Sequence, residues 1–250
     1  MTKLLALLCA LVGLGGPALA ADLPVPAPQP VYVPPVVPPY NWTGSYVGIN
    51  GGWGWGTAKW TVGPIPGTPL AAGLSNSISD NGGVVGGTLG FNWQLPGFGG
   101  FVFGAEGDWD YSAINTGTTA AICNFSGNCQ TGNNWLATLR GRAGYAADRV
   151  LFYATAGGAF ANVQTVFNGV TTGGSHTQAG WTVGAGVEWA FAQNWSAKVE
   201  YLYVDLGNST VTCLVAVCTT APFTASGIPV TVGLTENIVR AGINFKFYYP

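Results

Sequence analysis

Charge is the first thing this sequence lacks: only 7% of its 250 residues are Asp, Glu, Lys or Arg, against about 25% in an ordinary soluble domain. A chain this poor in charge has little with which to keep an aqueous surface soluble. Histidine occurs once, at His176, so the stretches that read as loops lack the clustered ligands a metal site would need. No periodic apolar helix, G-x-G-x-x-G, P-loop or H-E-x-x-H is present, which removes the usual signs of nucleotide and zinc-hydrolase chemistry. No cofactor, no metal and no enzymatic activity are expected.

Glycine and aromatic residues are plentiful instead, 39 glycines and 13% aromatic residues, and they alternate. The stretch 101–111, FVFGAEGDWDY, places Phe101, Phe103, Ala105, Trp109 and Tyr111 on one face of a strand. Gly104, Glu106, Asp108 and Asp110 fall on the other, because a period of two sends neighbours to opposite sides. Alternation fits a soluble barrel and a membrane barrel equally. Composition separates them. With the acids outside, the remaining outer surface would be glycine, alanine and threonine, and a narrow lumen would have to hold most of the ten tryptophans. With the aromatics outside, they meet lipid, and glycines plus a few pairable charges fill the interior.

Eight such segments follow one another, at 45–55, 83–93, 101–111, 135–145, 150–160, 179–191, 195–203 and 235–247. Each suits a tilted span of about 9 to 11 residues. Long polar connections (56–82, 112–134, 161–178, 204–234) alternate with short turns (95–100, 146–149, 192–194). The fold expected is therefore all-β: an eight-stranded antiparallel up-and-down transmembrane β-barrel, with four long outer loops, short periplasmic turns and both termini periplasmic.

Ahead of the barrel (42–250) stand two segments of other character. Residues 1–20 read as a signal peptide, with Lys3, an apolar run from Leu4 to Leu14, and Ala18-Leu19-Ala20 as the cleavage site. Residues 21–41 hold eight of the sixteen prolines and read as an extended periplasmic linker. Loss of Lys3 leaves seven bases against ten acids, a net charge of −3, too weak a bias to imply a nucleic-acid partner.

The segments WTGSYVGINGGWGWG, FVFGAEGDWDYS, WLATLRGRAGYA, WTVGAGVEWAF, NWSAKVEYLYVDLG and VRAGINFKF, in that order over most of 42–247, resemble the porin-like surface-antigen (outer-membrane immunogenic protein) family of small Gram-negative barrels. The resemblance implies an integral outer-membrane protein with structural and surface-exposed roles. Outer-membrane lipid and, during biogenesis, the barrel-assembly machinery are its implied partners. It also implies haemin binding in some members and no enzymatic role. Such chains end on an aromatic that the assembly machinery reads, whereas this one continues past Phe247 to Tyr248, Tyr249 and Pro250.

The charges of inward parity are Glu106, Asp108, Asp110, Glu188, Glu200 and Glu236 against Arg140, Arg142, Lys198, Arg240 and Lys246. Mutual neutralisation in a lumen too narrow for water is their expected role. A three-residue turn at 192–194 makes Glu188 and Lys198 directly opposed, and predicts an ion pair between them. Four cysteines remain after signal cleavage, Cys123, Cys129, Cys213 and Cys218. Three connectivities are open; pairing within each loop, Cys123 to Cys129 and Cys213 to Cys218, is the simplest. His176, beside Ser175, reads as an exposed loop histidine and is the axial-ligand candidate should haemin bind. The expected function is that of a structural envelope protein displaying four loops. Loop-mediated capture of haemin or a host surface, and a narrow porin-like pore, are the alternatives.

Overall fold

The computed structural model describes residues 39–64, 73, 75–97, 99–118, 129–167, 170–213 and 228–247. Among the described residues there are nine strands: β1 (Gly44–Val62), β2 (Ser75–Gln94), β3 (Phe101–Ser112), β4 (Asn115–Thr118), β5 (Cys129–Ala147), β6 (Val150–Phe167), β7 (Val170–Ala190), β8 (Trp195–Cys213) and β9 (Ile228–Lys246). Each strand is antiparallel to its neighbours, β9 returns to β1, and β3 pairs with both β2 and β5. The short β4 continues β3 against the far end of β5. Those two fill one position, so the closed barrel is eight strands round. Closure satisfies the backbone inside the wall, which a bilayer requires because lipid offers no hydrogen bonds.

The outward residues form an apolar band between two aromatic rings. At the turn end stand Trp93, Phe101, Phe103, Tyr145, Phe152, Trp189, Phe191, Trp195 and Phe247, all exposed. At the loop end stand Trp53, Trp55, Trp109, Tyr111, Phe160 and Trp181. Between them Ile49, Leu89, Leu139 and Val199 are 58–71% exposed, a degree of apolar exposure that only a lipid solvent makes favourable. On β6 Phe152 and Phe160 face outward, while Leu151, Tyr153 and Thr155 point in.

The strands overrun the lengths that the sequence suggested. Most of 56–62, 75–82, 161–167, 170–178, 204–213 and 228–234 is barrel wall, not loop. The polarity of the two faces inverts just beyond the loop-end aromatic ring, which is why a membrane-barrel pattern stops there while the ladder goes on. Outside, Lys59, Ser77, Ser79 and Thr210 are exposed. Inside, Trp60, Ile78, Leu136, Val163, Val204, Leu206, Val232 and Leu234 are buried together. The loop-end half thus follows the rule for a barrel in water, apolar within and polar without.

One strand keeps to the shorter length. β3 stops at Ser112, and Ala113 and Ile114 turn into the lumen before β4 begins. Glycines make that turn fit. A Cβ on Gly82 would run into the Ala113 carbonyl, and one on Gly56 would stand 2.9 Å from Ile114 Cγ2.

Residues 40–43 close over the turn end. Trp42 is 2% exposed; its Nε1 donates to the Asp148 carbonyl at 2.9 Å and its backbone N–H to Gln94 Oε1 at 2.9 Å. The Tyr40 N–H donates to Asp148 Oδ1 at 3.0 Å, and the two rings meet edge to face at 5.0 Å. Asp148 adopts φ +51° at the two-residue turn between β5 and β6, a conformation that Asp tolerates better than most side chains. Tyr40, at the end of the proline-rich run, therefore belongs to a packed cluster with Val102, Ala146, Leu151 and Tyr153. Residues 1–38, which include the signal and most of the linker read from the sequence, lie outside the described residues.

Candidate functional site

Inside the lipid band the lumen holds charge. Three carboxylates come from β3, two arginines from β5, Glu188 from β7, Lys198 and Glu200 from β8, and Arg240 from β9. Strand pleating aims them all inward, because 106, 108 and 110 share a parity, as do 140 and 142. Register then sets Glu106 opposite Arg140 and Glu200 opposite Arg240.

Arg140 is the hub. Its Nη2 reaches Glu106 Oε1 and Asp108 Oδ2, both at 2.6 Å, and its Nη1 reaches Glu200 Oε1 at 2.9 Å. Arg240 extends the network toward the loop end, with Nη1 at 3.0 Å from Asp108 Oδ1 and 2.7 Å from Asp110 Oδ2, and Nη2 at 2.8 Å from Glu200 Oε2. Arg142 extends it the other way, donating to Glu188 Oε2 and to the Tyr46 hydroxyl, each at 2.8 Å. Tyr46 passes the contact on, donating to Glu106 Oε2 at 2.7 Å. Charge-assisted bonds of this length are the strong kind. A buried charge is tolerable only when its partners are complete.

The Arg142 guanidinium also lies between two rings, 3.9 Å from the Tyr153 centroid and 5.7 Å from that of Tyr46. Both tyrosines lean over a glycine. A Cβ on Gly90 would meet the phenol of Tyr46, and one on Gly186 would stand 2.6 Å from Tyr153 Cζ. Glycine here makes room for a ring on the neighbouring strand, which lets two tyrosines fit into a narrow lumen.

The ion pair predicted between Glu188 and Lys198 does not form. The register is as the turn requires, Glu188 opposite Lys198, but Lys198 Nζ crosses the lumen to Glu106 Oε2 at 2.8 Å. Glu188 is already supplied by Arg142, by Ser196 Oγ at 2.5 Å and by Asn244 Nδ2 at 2.8 Å. The lysine stem reaches across the lumen, so direct opposition on the wall does not fix its partner.

Two other residues of inward parity stand outside the network, and here too the sequence reading is corrected. Lys246 lies at the turn-end mouth, where its ammonium donates to the Asn41 carbonyl and sits 4.1 Å from the Tyr40 ring centroid. Burial pushes the Tyr40 phenol up to about 12, with Glu188 adding to the shift and Arg149 opposing it. Glu236 lies beyond the lipid band among apolar side chains, bonded to Asn133 Nδ2 at 2.9 Å. Sequence parity gives direction but not height along the barrel, so it could not separate these two from the rest.

His176 pairs with Ser209 on β8, Nε2 to Oγ 3.0 Å, while the Ser175 side chain lies outside the described residues. Cys123 and Cys218 also lie outside them, and Cys129 and Cys213 are described only as strand ends. Of the neutral lumen partners, Tyr46, Thr138 and Asn244 are buried as their inward parity in the sequence requires; Ser196 was not singled out, and the same parity was the available signal.

A closed antiparallel barrel with an outer apolar band and a charged interior defines an integral outer-membrane protein. Comparison with known proteins agrees. Residues 6–237 match the model of the outer membrane protein beta-barrel domain, and the chain belongs to that family. It is 35% identical to the 31 kDa outer-membrane immunogenic protein of Brucella melitensis biotype 1, over 92% of this chain and 93% of that one. It is 31% identical to the 25 kDa outer-membrane immunogenic protein of Brucella abortus biovar 1, over 95% and 94%. Among solved structures the outer membrane protein OprG from Pseudomonas aeruginosa superposes with a TM-score of 0.53 at 10% identity, covering 83% of this chain and 99% of that one. At that identity the likeness shows the fold alone.

Proposed function

We propose that this chain is a structural, surface-displayed protein of the outer membrane that supports envelope integrity and whose lumen is shut by its own charges. Both chain ends are periplasmic on this reading and the long connections face outward, where they act as surface antigens. One observation carries the closed lumen: Arg140, Arg142, Lys198 and Arg240 each hold a carboxylate, and none of the four side chains is more than 2% exposed. A water-filled pore needs hydrated walls, and side chains this dry leave no aqueous path through that level. Outer-membrane lipid is the partner of the apolar band, and the barrel-assembly machinery is the partner during insertion.

Single-channel recording of the purified protein tests the closed lumen; no stable conductance is the expected result, and a large steady one overturns it. The envelope role is tested separately by deleting the gene and exposing cells to detergent and large antibiotics. Unchanged sensitivity would remove that role and leave the display role standing. Haemin capture is a second reading and turns on His176, whose Nε2 is engaged by Ser209. An absorbance titration that gave a haemin spectrum in the wild type, lost in His176→Ala, would establish it.

A further inference from the structure

Glu236 is the one acid in the lumen, among the described residues, with no cation within ion-pair distance. It stands on β9 beyond the lipid-facing stretch 239–247, and it is 1% exposed. Its Oε1 accepts from Asn133 Nδ2 at 2.9 Å, and Asn133 Oδ1 accepts from Ser112 Oγ at 2.8 Å. Its Oε2 has no partner. The groups facing it are Gly56 across β1, Val204 across β8, Asn133 on β5, Ser112 and Ile114 at the end of β3, and Leu234 and Ile238 on its own strand. None titrates. The nearest charges toward the lipid band are Arg240, two inward positions along β9, and Asp110, and those two hold each other at 2.7 Å.

We propose that Glu236 is a protonation switch in the loop-end lumen. As a neutral acid it sits in the apolar fill, tied through Asn133 and Ser112 to β5 and β3; as a carboxylate it draws water in and loosens that half of the barrel. The physical ground is that a lone ionised carboxylate buried without a cation costs far more than a neutral one with one hydrogen bond. The folded state therefore holds its proton more tightly than the unfolded chain, where glutamate releases it near about 4.3. Stability that is full below that value is lost as the pH rises through the folded one.

Two measurements test this on the full chain in detergent micelles. The first is infrared spectroscopy of wild-type protein labelled with carbon-13 glutamate. A neutral carboxylic-acid carbonyl band is expected at about pH 5, absent by about pH 8.5, and missing throughout in Glu236→Gln. The second is urea unfolding of wild type and Glu236→Gln at both pH values. The wild-type unfolding constant is expected to rise relative to the variant on the order of tenfold or more between them. No carboxylic-acid band in wild type at the lower pH overturns the proposal, as does a band that persists unchanged at the higher one. A wild-type to variant ratio that does not move with pH also overturns it. If Glu236→Gln fails to fold, Glu236→Asp takes its place in assigning the band, and a wild-type band unmoved by that change counts against Glu236.

Discussion

Glu188 and Lys198 stand directly opposite each other on β7 and β8, and each is bonded to something else. Lys198 reaches Glu106 at 2.8 Å and Glu188 takes Arg142 at 2.8 Å, so adjacency in the sheet does not decide which charges pair. In a double-mutant cycle, Glu106→Gln with Lys198→Met is expected to show a coupling of about 0.5 to 3 kcal/mol, the range for groups in contact. The cycle of Glu188→Gln with Lys198→Met should couple less. Urea unfolding in micelles reads both, and a larger coupling for Glu188 would mean the two side chains meet after all.

Removing the hub leaves three carboxylates facing one another. Arg140→Met is expected to destabilise by about 3 to 5 kcal/mol, the cost of breaking a buried pair from one side. A loss below about 1 kcal/mol in urea unfolding, the scale of an exposed pair, would show that the lumen is wet at that level.

Gly54 and Gly56 leave a bay in the wall that Ile114 fills, and this predicts a rescue. Gly54→Val puts a side chain where Ile114 Cδ1 lies, and overpacking of this kind costs about 1 to 3 kcal/mol. Adding Ile114→Ala should recover part of the loss, because it vacates the space the valine needs. If the double variant is no better than the single one, Ile114 does not fill that bay.

The turn-end cap should depend on Trp42. Trp42→Ala removes a buried ring and its Nε1 hydrogen bond to the Asp148 carbonyl, with an expected loss of about 3 kcal/mol or more. Hydrogen exchange will show faster opening around Asp148. The cap also has a pH arm. With the Tyr40 phenol at about 12, the docked form resists ionisation, so docking is intact below about pH 10 and weakens as the pH rises from there. Tyr40→Phe should abolish that alkaline weakening.

The four cysteines outside the signal should join within their own segments, Cys123 to Cys129 and Cys213 to Cys218. Each bridge closes a short loop, so reduction should change the barrel's unfolding little, since the entropic gain shrinks with loop size. Non-reducing peptide mapping that joined Cys123 to Cys213 would refute the pairing.

Local chemistry along the chain is enough to specify the barrel, its strand order and the direction of the side chains within its eight alternating segments. Those follow from local chemistry: a period of two, turn residues at set intervals, and a charge content too low for water. It also put Glu106, Arg140 and Arg240 in the lumen, because parity is a local property. How far the strands run, which carboxylate each cation holds, and the separation of Glu236 and Lys246 from the rest emerge only when the barrel is assembled. Height along a tilted barrel depends on the stagger of every strand against the next, and the choice among facing carboxylates depends on distances across the axis. Neither quantity is written in any one segment. The inverted loop-end half is illegible in the sequence for the same reason: its apolar and polar residues alternate as those of the membrane band do, and closure of the wall alone tells which face is inside.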